Sequence, residues 1–209
     1  MMGIFQRLRQ DALRHDTLRQ EPESAFFSTA WHLGSQTPLV PWEARAVELG
    51  ARRLPPHAAL RRLQALWAHD RHLATLTAPA LRRMGRYLGF AAVKAQRDVI
   101  RQDEYGNFMV VVLSGELVVN RSQPWGESLR LAHAGPGDLL GEMSLLDSGQ
   151  RFSSCTTVVD SELAVLSAEA LDDMLQHDPA LAAQLIAVLA RKLSMRLRAV
   201  SARLGHHPS

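Results

Sequence analysis

"NFMVVVLSGELVVN", Asn107–Asn120, is two β-rich apolar runs joined at Ser114-Gly115. Val and Leu at this density, broken by a small-residue pair, make a strand–turn–strand and predict a hairpin. Working outward, "SLRLAHA" (Ser128–Ala134) alternates as a half-buried strand does, and "AGPGD" (Ala134–Asp138) is a turn. "CTTVV" and "ELAVL" add strands near Cys155–Val159 and Glu162–Leu166. About eight short antiparallel strands over residues 90–166 point to a closed or rolled sheet.

On either side the apolar period changes to three and four. Ile4, Phe5, Leu8 and Ala12 mark one helix, and Leu60, Leu63, Leu66 and Trp67 another. Arg19–Pro41 reads as loop, and Pro41-Trp42-Glu43 as a helix start. Thr77 is an N-cap with Pro79 in the first turn, and Gly89 is expected to close that helix. After the strands, Ser167 caps a short helix with Glu169 in its first turn. Asp178-Pro179 opens a long one to about Leu204. There Ile186, Leu189, Leu193, Leu197, Val200 and Leu204 step close to a heptad seam. Such a helix packs on its own sheet or pairs with a second copy, and its length makes a homodimer through residues 179–204 the expectation.

The chain has 209 residues, 46% of them apolar, enough for one core with a small helical annex. No stretch approaches the ~18 apolar residues of a membrane span, and the N-terminus lacks a secretory pattern, so a cytoplasmic location is expected. The single cysteine, Cys155, excludes a disulfide framework and reads as a buried thiol. The net charge of +3 rests almost wholly on arginine, with only Lys94 and Lys192 as lysines. Those arginines are spread over helix-like segments, which is weak support for nucleic-acid binding. The arginine bias also fits a GC-rich, bacterial source. The nine histidines are scattered. His133 has no His-x-His partner, His69 and His72 lack a third ligand, and no Ser-His-Asp or Cys-His set stands out. The expectation is therefore a non-enzyme without a catalytic cofactor or metal.

The candidate chemistry lies in "GEMSLLDSGQRFSS", Gly141–Ser154. Gly141 permits a positive φ, and Glu142 onward can form one helical turn whose free N–H groups favour an anion. Arg151 offers the planar fork that holds two phosphate oxygens, followed by the amides of Phe152 and Ser153. Glu142 is acceptor-only when ionised, which suits a pair of sugar hydroxyls. Phosphate plus ribose means a nucleotide, while the plainer reading of Glu142 and Arg151 is a surface ion pair.

In order and spacing, "LTAPALRRMGRYLGF", "DVIRQDEYGNFMVVVLSGELVV", "AGPGDLLGEMSLLDSGQR" and "DSELAVLSAEALDDML" resemble the cyclic nucleotide-binding domain superfamily of the catabolite activator protein and the protein kinase A regulatory subunit. The resemblance implies an α+β fold: an eight-stranded antiparallel β-roll with a helical bundle before it and hinge and lid helices after it. The chain then divides into an N-terminal helical extension, residues 1–75, and the binding domain, 76–209, with the roll at 90–166 and the hinge and lid helices at 167–204. It makes Gly141 the cassette glycine, Glu142 the carboxylate for the ribose 2′-hydroxyl, Met143 its neighbour in the cassette, and Arg151 the arginine for the cyclic phosphate. Leu140 replaces a common aromatic. Phe152 departs from the usual small residue, and its ring can clash, stack on the base, or turn outward. Ser153 and Ser154 can add hydroxyl contacts, and Arg196 falls where lid helices contact the base.

The expected function is a stand-alone cyclic mononucleotide sensor, cyclic AMP favoured over cyclic GMP, whose ligand draws the lid helix over the roll and acts on an unidentified protein partner. No DNA-binding domain is expected, because the chain ends at Ser209. The rival readings are an interaction module that has lost its ligand and a cyclic dinucleotide binder. For residues 1–20, packing on the roll, docking to a partner and contact with a membrane surface all remain open.

Overall fold

The structure is a computed structural model and describes residues 38–70, 73 and 75–204. The expected first helix, with its three readings, lies outside the described residues, as do His72 and most of the Arg19–Pro41 loop. Helix α1 (Trp42–Leu49) begins at Pro41 as expected. It is followed by the two-residue strand β1 (Arg52–Arg53), α2 (Pro56–Ala68) and α3 (Ala78–Met84). Thr77 caps α3 by accepting from the Ala80 amide at 3.4 Å. Gly89, however, does not close that helix. The helix stops at Gly85, where a Cβ would lie 2.7 Å from Leu60, and tight bonds from the Arg86 and Tyr87 amides to Arg83 and Met84 turn the chain away. Gly89 instead begins β2.

Eight strands then form the roll: β2 (Gly89–Val93), β3 (Asp98–Ile100), β4 (Phe108–Ser114), β5 (Leu117–Ser122), β6 (Ser128–Ala134), β7 (Leu139–Leu140), β8 (Ser154–Thr157) and β9 (Ser161–Ser167). They make two antiparallel sheets, β1-β2-β9-β4-β7 and β3-β8-β5-β6. The expected α+β roll is therefore present, with β1 as a ninth strand contributed from before it. Helix α4 (Glu142–Asp147) interrupts the roll between β7 and β8. Helices α5 (Ala168–His177) and α6 (Pro179–Leu204) complete it, the hinge and lid of the sequence reading.

One correction concerns the stretch that announced the sheet. β4 and β5 are not a hairpin, since β4 pairs with β7 and β9 while β5 pairs with β6 and β8. A register shift between Val112 and Ser114 bends β4, and Gly115, at φ +89°, swings the chain into the other sheet. A Cβ there would lie 2.3 Å from Ser161 Oγ and 2.8 Å from the Asp160 carbonyl oxygen, so only glycine turns this corner.

β4 is buried on both sides, which explains its unbroken apolar run. Met109, Val111 and Leu113 face a core shared with Leu63, Trp67, Met84, Leu171, Met174, Leu185 and Leu189 of the helices. Phe108, Val110 and Val112 fill the roll with Val99, Leu117, Cys155 and Leu163. Helix α2 thus packs in the helical core against one face of β4, not inside the roll. Helix α6 buries Leu181, Ala182, Leu185, Val188 and Leu189, and then runs on with Leu197 and Val200 exposed. No helix among the described residues is long and apolar enough to cross a membrane.

Candidate functional site

Gly141 sits between β7 and α4 in the left-handed region, φ +81°, and caps α4. A Cβ there would lie 2.6 Å from Arg151 Nη1, 2.9 Å from Ile100 and 3.1 Å from the Phe108 carbonyl oxygen. Glycine is needed both for the turn and for the arginine beside it.

Arg151 is almost fully buried, 3% exposed, rather than solvated on a surface. Its Nη1 donates to the Gly141 carbonyl at 2.9 Å and its Nη2 to the Phe108 carbonyl at 2.6 Å. The guanidinium lies 4.6 Å from the centre of the Phe108 ring, which meets Trp42 of α1 edge-on at 5.3 Å. On another side it packs on Gly106, where a Cβ would be 2.7 Å from Nε. Its own amide donates to the Glu104 carbonyl at 2.8 Å. Burial pushes the guanidinium down to about 10, and the charge of Arg45 acts the same way while Cys155, Glu104 and Glu142 oppose it. At neutral pH the group remains a cation.

Glu142, the first residue of α4, is also buried, 4% exposed. Its Oε1 accepts a hydrogen bond from Arg196 Nη1 of α6, and Arg196 Nη2 donates to the Leu139 carbonyl at 3.0 Å. The surface ion pair between Glu142 and Arg151 that the plainer reading expected is therefore absent: Arg151 is held by two backbone carbonyls and Glu142 by the half-exposed Arg196. Gly141, Glu142, Arg151 and Arg196 are brought together at one end of the roll. Met143 is not part of that cluster's buried face, being 46% exposed.

Phe152 turns outward, 52% exposed, with the Arg121 guanidinium 4.1 Å from its ring centre and bonded to its carbonyl. Of the three outcomes open for this ring, the observed one keeps it off Arg151. Ser153 is half-buried, and Ser154 Oγ accepts from the Gln102 amide at 2.9 Å, a bond internal to the roll. Cys155 is buried, and its thiol is pushed up to about 12 by that burial.

Sequence reasoning did not single out Phe108, Gly106, Arg121 or Arg45. The buried Arg45 of α1 pairs with Glu48 at 2.6 Å and with Glu104. Only Gly106, a small residue just before the β4 run, carried a local signal. A separate cavity of about 290 Å³ is lined by Trp42, Arg86, Tyr87, Val165 and Ser167 among others, and by none of the cassette residues. Among the described residues no group of three or more His, Cys, Asp or Glu is placed to hold a metal.

Residues 91–178 match the model of the cyclic nucleotide-binding domain. Over 97 residues the chain is 38% identical to the cyclic AMP receptor protein of Thermus thermophilus, covering 46% of this chain and 45% of that one. Over 95 residues it is 34% identical to the CRP-like cAMP-activated global transcriptional regulator of Mycobacterium tuberculosis, covering 46% and 42%. The chain thus spans less than half the length of these relatives. Among solved structures, a cyclic nucleotide-binding domain from Methylobacillus flagellatus superposes with a TM-score of 0.68 at 22% identity, over 76% of this chain and 90% of that one. The Thermus thermophilus catabolite activator protein superposes with a TM-score of 0.56 at 31% identity, over 67% and 62%. Fold, cassette order and sequence match agree: residues 91–178 are a cyclic nucleotide-binding domain.

Proposed function

We propose that this chain is a regulatory sensor of a cyclic mononucleotide, cyclic AMP in preference to cyclic GMP, that works without a catalytic step or catalytic cofactor. The observation that carries the reading is the pair of buried, oppositely charged groups beside Gly141 inside the matched domain, Arg151 bonded to its carbonyl and Glu142 next in the chain. A buried guanidinium and a buried carboxylate are costly to keep unless a ligand or partner uses them. Arg151 would take the cyclic phosphate, exchanging the carbonyls of Gly141 and Phe108 for charged oxygens, and Glu142 would take a ribose hydroxyl. The names of the relatives support cyclic AMP, since both are described as cyclic AMP proteins. The output goes to a protein partner in the cytoplasm. Leu197 and Val200, exposed on the outer half of α6, support a homodimer through that helix.

A second reading is favoured by one observation: Arg151 and Glu142 are both already satisfied by protein groups. Under that reading the roll is an interaction module, and the two charges are structural. Isothermal titration with cyclic AMP, cyclic GMP and cyclic di-GMP separates the two. Saturable binding of cyclic AMP, tighter than cyclic GMP, is the expected result. Heat from none of the three refutes the sensor, and heat from cyclic di-GMP alone moves the ligand class.

A further inference from the structure

Helix α1 lies ahead of the matched domain in the chain, yet its contacts converge on the segment that holds Arg151. Just before the helix, the Val40 amide donates to the Tyr105 carbonyl at 2.8 Å, and Leu39 and Gln150 both form β-bridges to Tyr105. Trp42 meets the Phe108 ring on which the Arg151 guanidinium rests. Arg45, 1% exposed, donates to Glu48 at 2.6 Å and to Glu104. The Glu104 carbonyl accepts from the Arg151 amide at 2.8 Å, and the Asp103 amide donates to the Arg151 carbonyl at 2.9 Å. The backbone of Arg151 is thus held on both sides by a short segment that Arg45 grips through the Glu104 carboxylate. Packing alone does not call for an arginine at position 45. Exchanging buried charges for apolar groups of similar volume is often neutral or stabilising, and Arg45 keeps its Nε buried with no hydrogen-bond partner among the described residues. What arginine alone supplies is a rigid fork that bonds Glu48 of its own helix and Glu104 of the loop at once.

We propose that Arg45 is a positioning residue for Arg151: it fixes the loop before β4 through Glu104 and so sets the direction in which the Arg151 fork meets a cyclic phosphate. This rests on the sensor reading above and adds that the phosphate site is completed by a helix outside the matched domain. Hydrogen bonds weaken steeply once donor and acceptor lose their alignment, and a planar fork must align two of them together. A small tilt of the backbone at residue 151 therefore weakens the grip on the phosphate. It also blurs the difference between the two exocyclic oxygens, which only a fork of fixed direction can tell apart.

The test uses the full chain with Arg45→Met, Arg45→Lys and Glu104→Ala. The probes are cyclic AMP and its two phosphorothioate diastereomers, in which sulfur replaces one or the other exocyclic oxygen. Thermal melts report folding and titration reports binding. The ratio of the two diastereomers' affinities reads the direction of the fork, independently of how much protein is folded. The expected result in Arg45→Met and Glu104→Ala is cyclic AMP binding weakened about tenfold, the lower end for loss of one hydrogen bond to a charged group, with the diastereomer ratio drawn toward one. Arg45→Lys should recover part of both. Glu104→Ala keeps the backbone carbonyl that receives the Arg151 amide, and it carries the test should Arg45→Met fail to fold. Weaker binding with the wild-type ratio retained assigns Arg45 to stability alone and overturns the proposal, as does wild-type affinity in Glu104→Ala. Equal affinity of the wild type for the two diastereomers denies Arg151 a directed fork and overturns it too. Absence of binding by the wild type overturns the sensor reading, and the positioning role with it.

Discussion

Replacing Arg151 with methionine should weaken the fold modestly and remove nucleotide binding entirely. Methionine keeps most of the side-chain volume, so the packing on Phe108 and Gly106 is largely retained. What is lost are two charge-assisted hydrogen bonds to the carbonyls of Gly141 and Phe108, worth about 1.5–3 kcal/mol each. What is gained is relief of the buried cation: holding a guanidinium that burial lowers to about 10 costs on the order of 3 kcal/mol. The balance is a loss of roughly 0–3 kcal/mol centred near 1.5, which for a chain of this size lowers Tm by about 3–6 °C at the centre of that range. Thermal melts with and without cyclic AMP read both effects. At a ligand concentration about 100 times Kd the wild type should gain about 2.7 kcal/mol, and Arg151→Met should gain nothing. A variant that keeps the wild-type ligand shift refutes the phosphate role. One that loses more than about 5 kcal/mol, beyond the usual range for a point change, refutes the balance of hydrogen bonding against desolvation.

Gly141→Ala places a Cβ at φ +81° and 2.6 Å from Arg151 Nη1, and should cost at least about 2 kcal/mol together with ligand binding, read by the same melts. Phe152→Ser should change stability by less than about 0.5 kcal/mol and cyclic AMP affinity by less than about threefold, about 0.6 kcal/mol, because the ring is exposed on Arg121. A large rise in affinity would show that the ring reaches the pocket. Cys155, its thiol pushed up to about 12 by burial, should resist iodoacetamide at pH 8 in the folded chain and react in urea. Asp178 is held below its usual 3.8 by the hydrogen bond from Arg83. Its folded pKa is the lower one, so its stabilisation is present above pH ~4 and lost as pH falls through the folded value. Asp178→Asn should flatten the acid limb of a stability-against-pH curve, and an unchanged limb would deny the pair any role.

Features closed within a few residues were legible from the amino-acid order alone. The Thr77 and Ser167 caps and the Asp178-Pro179 helix start bond to amides three positions on, so their partners are written beside them. The turn at Gly141 and the apolar runs of β4 and β9 are of the same kind, since side-chain period and allowed φ are local properties. The stop of α3 was misread because Gly85 answers to Leu60, packed on it from another helix. Tertiary structure alone decided that Ser114-Gly115 is a corner between sheets, because pairing follows which neighbours are buried and a bulge can divert either strand. It alone decided the cassette's electrostatics. Arg151 is satisfied by a carbonyl 43 residues away, and Glu142 by an arginine 54 residues away. A charged side chain takes whichever partner lowers its burial cost, and that partner is chosen by chain folding across distances that no local pattern records.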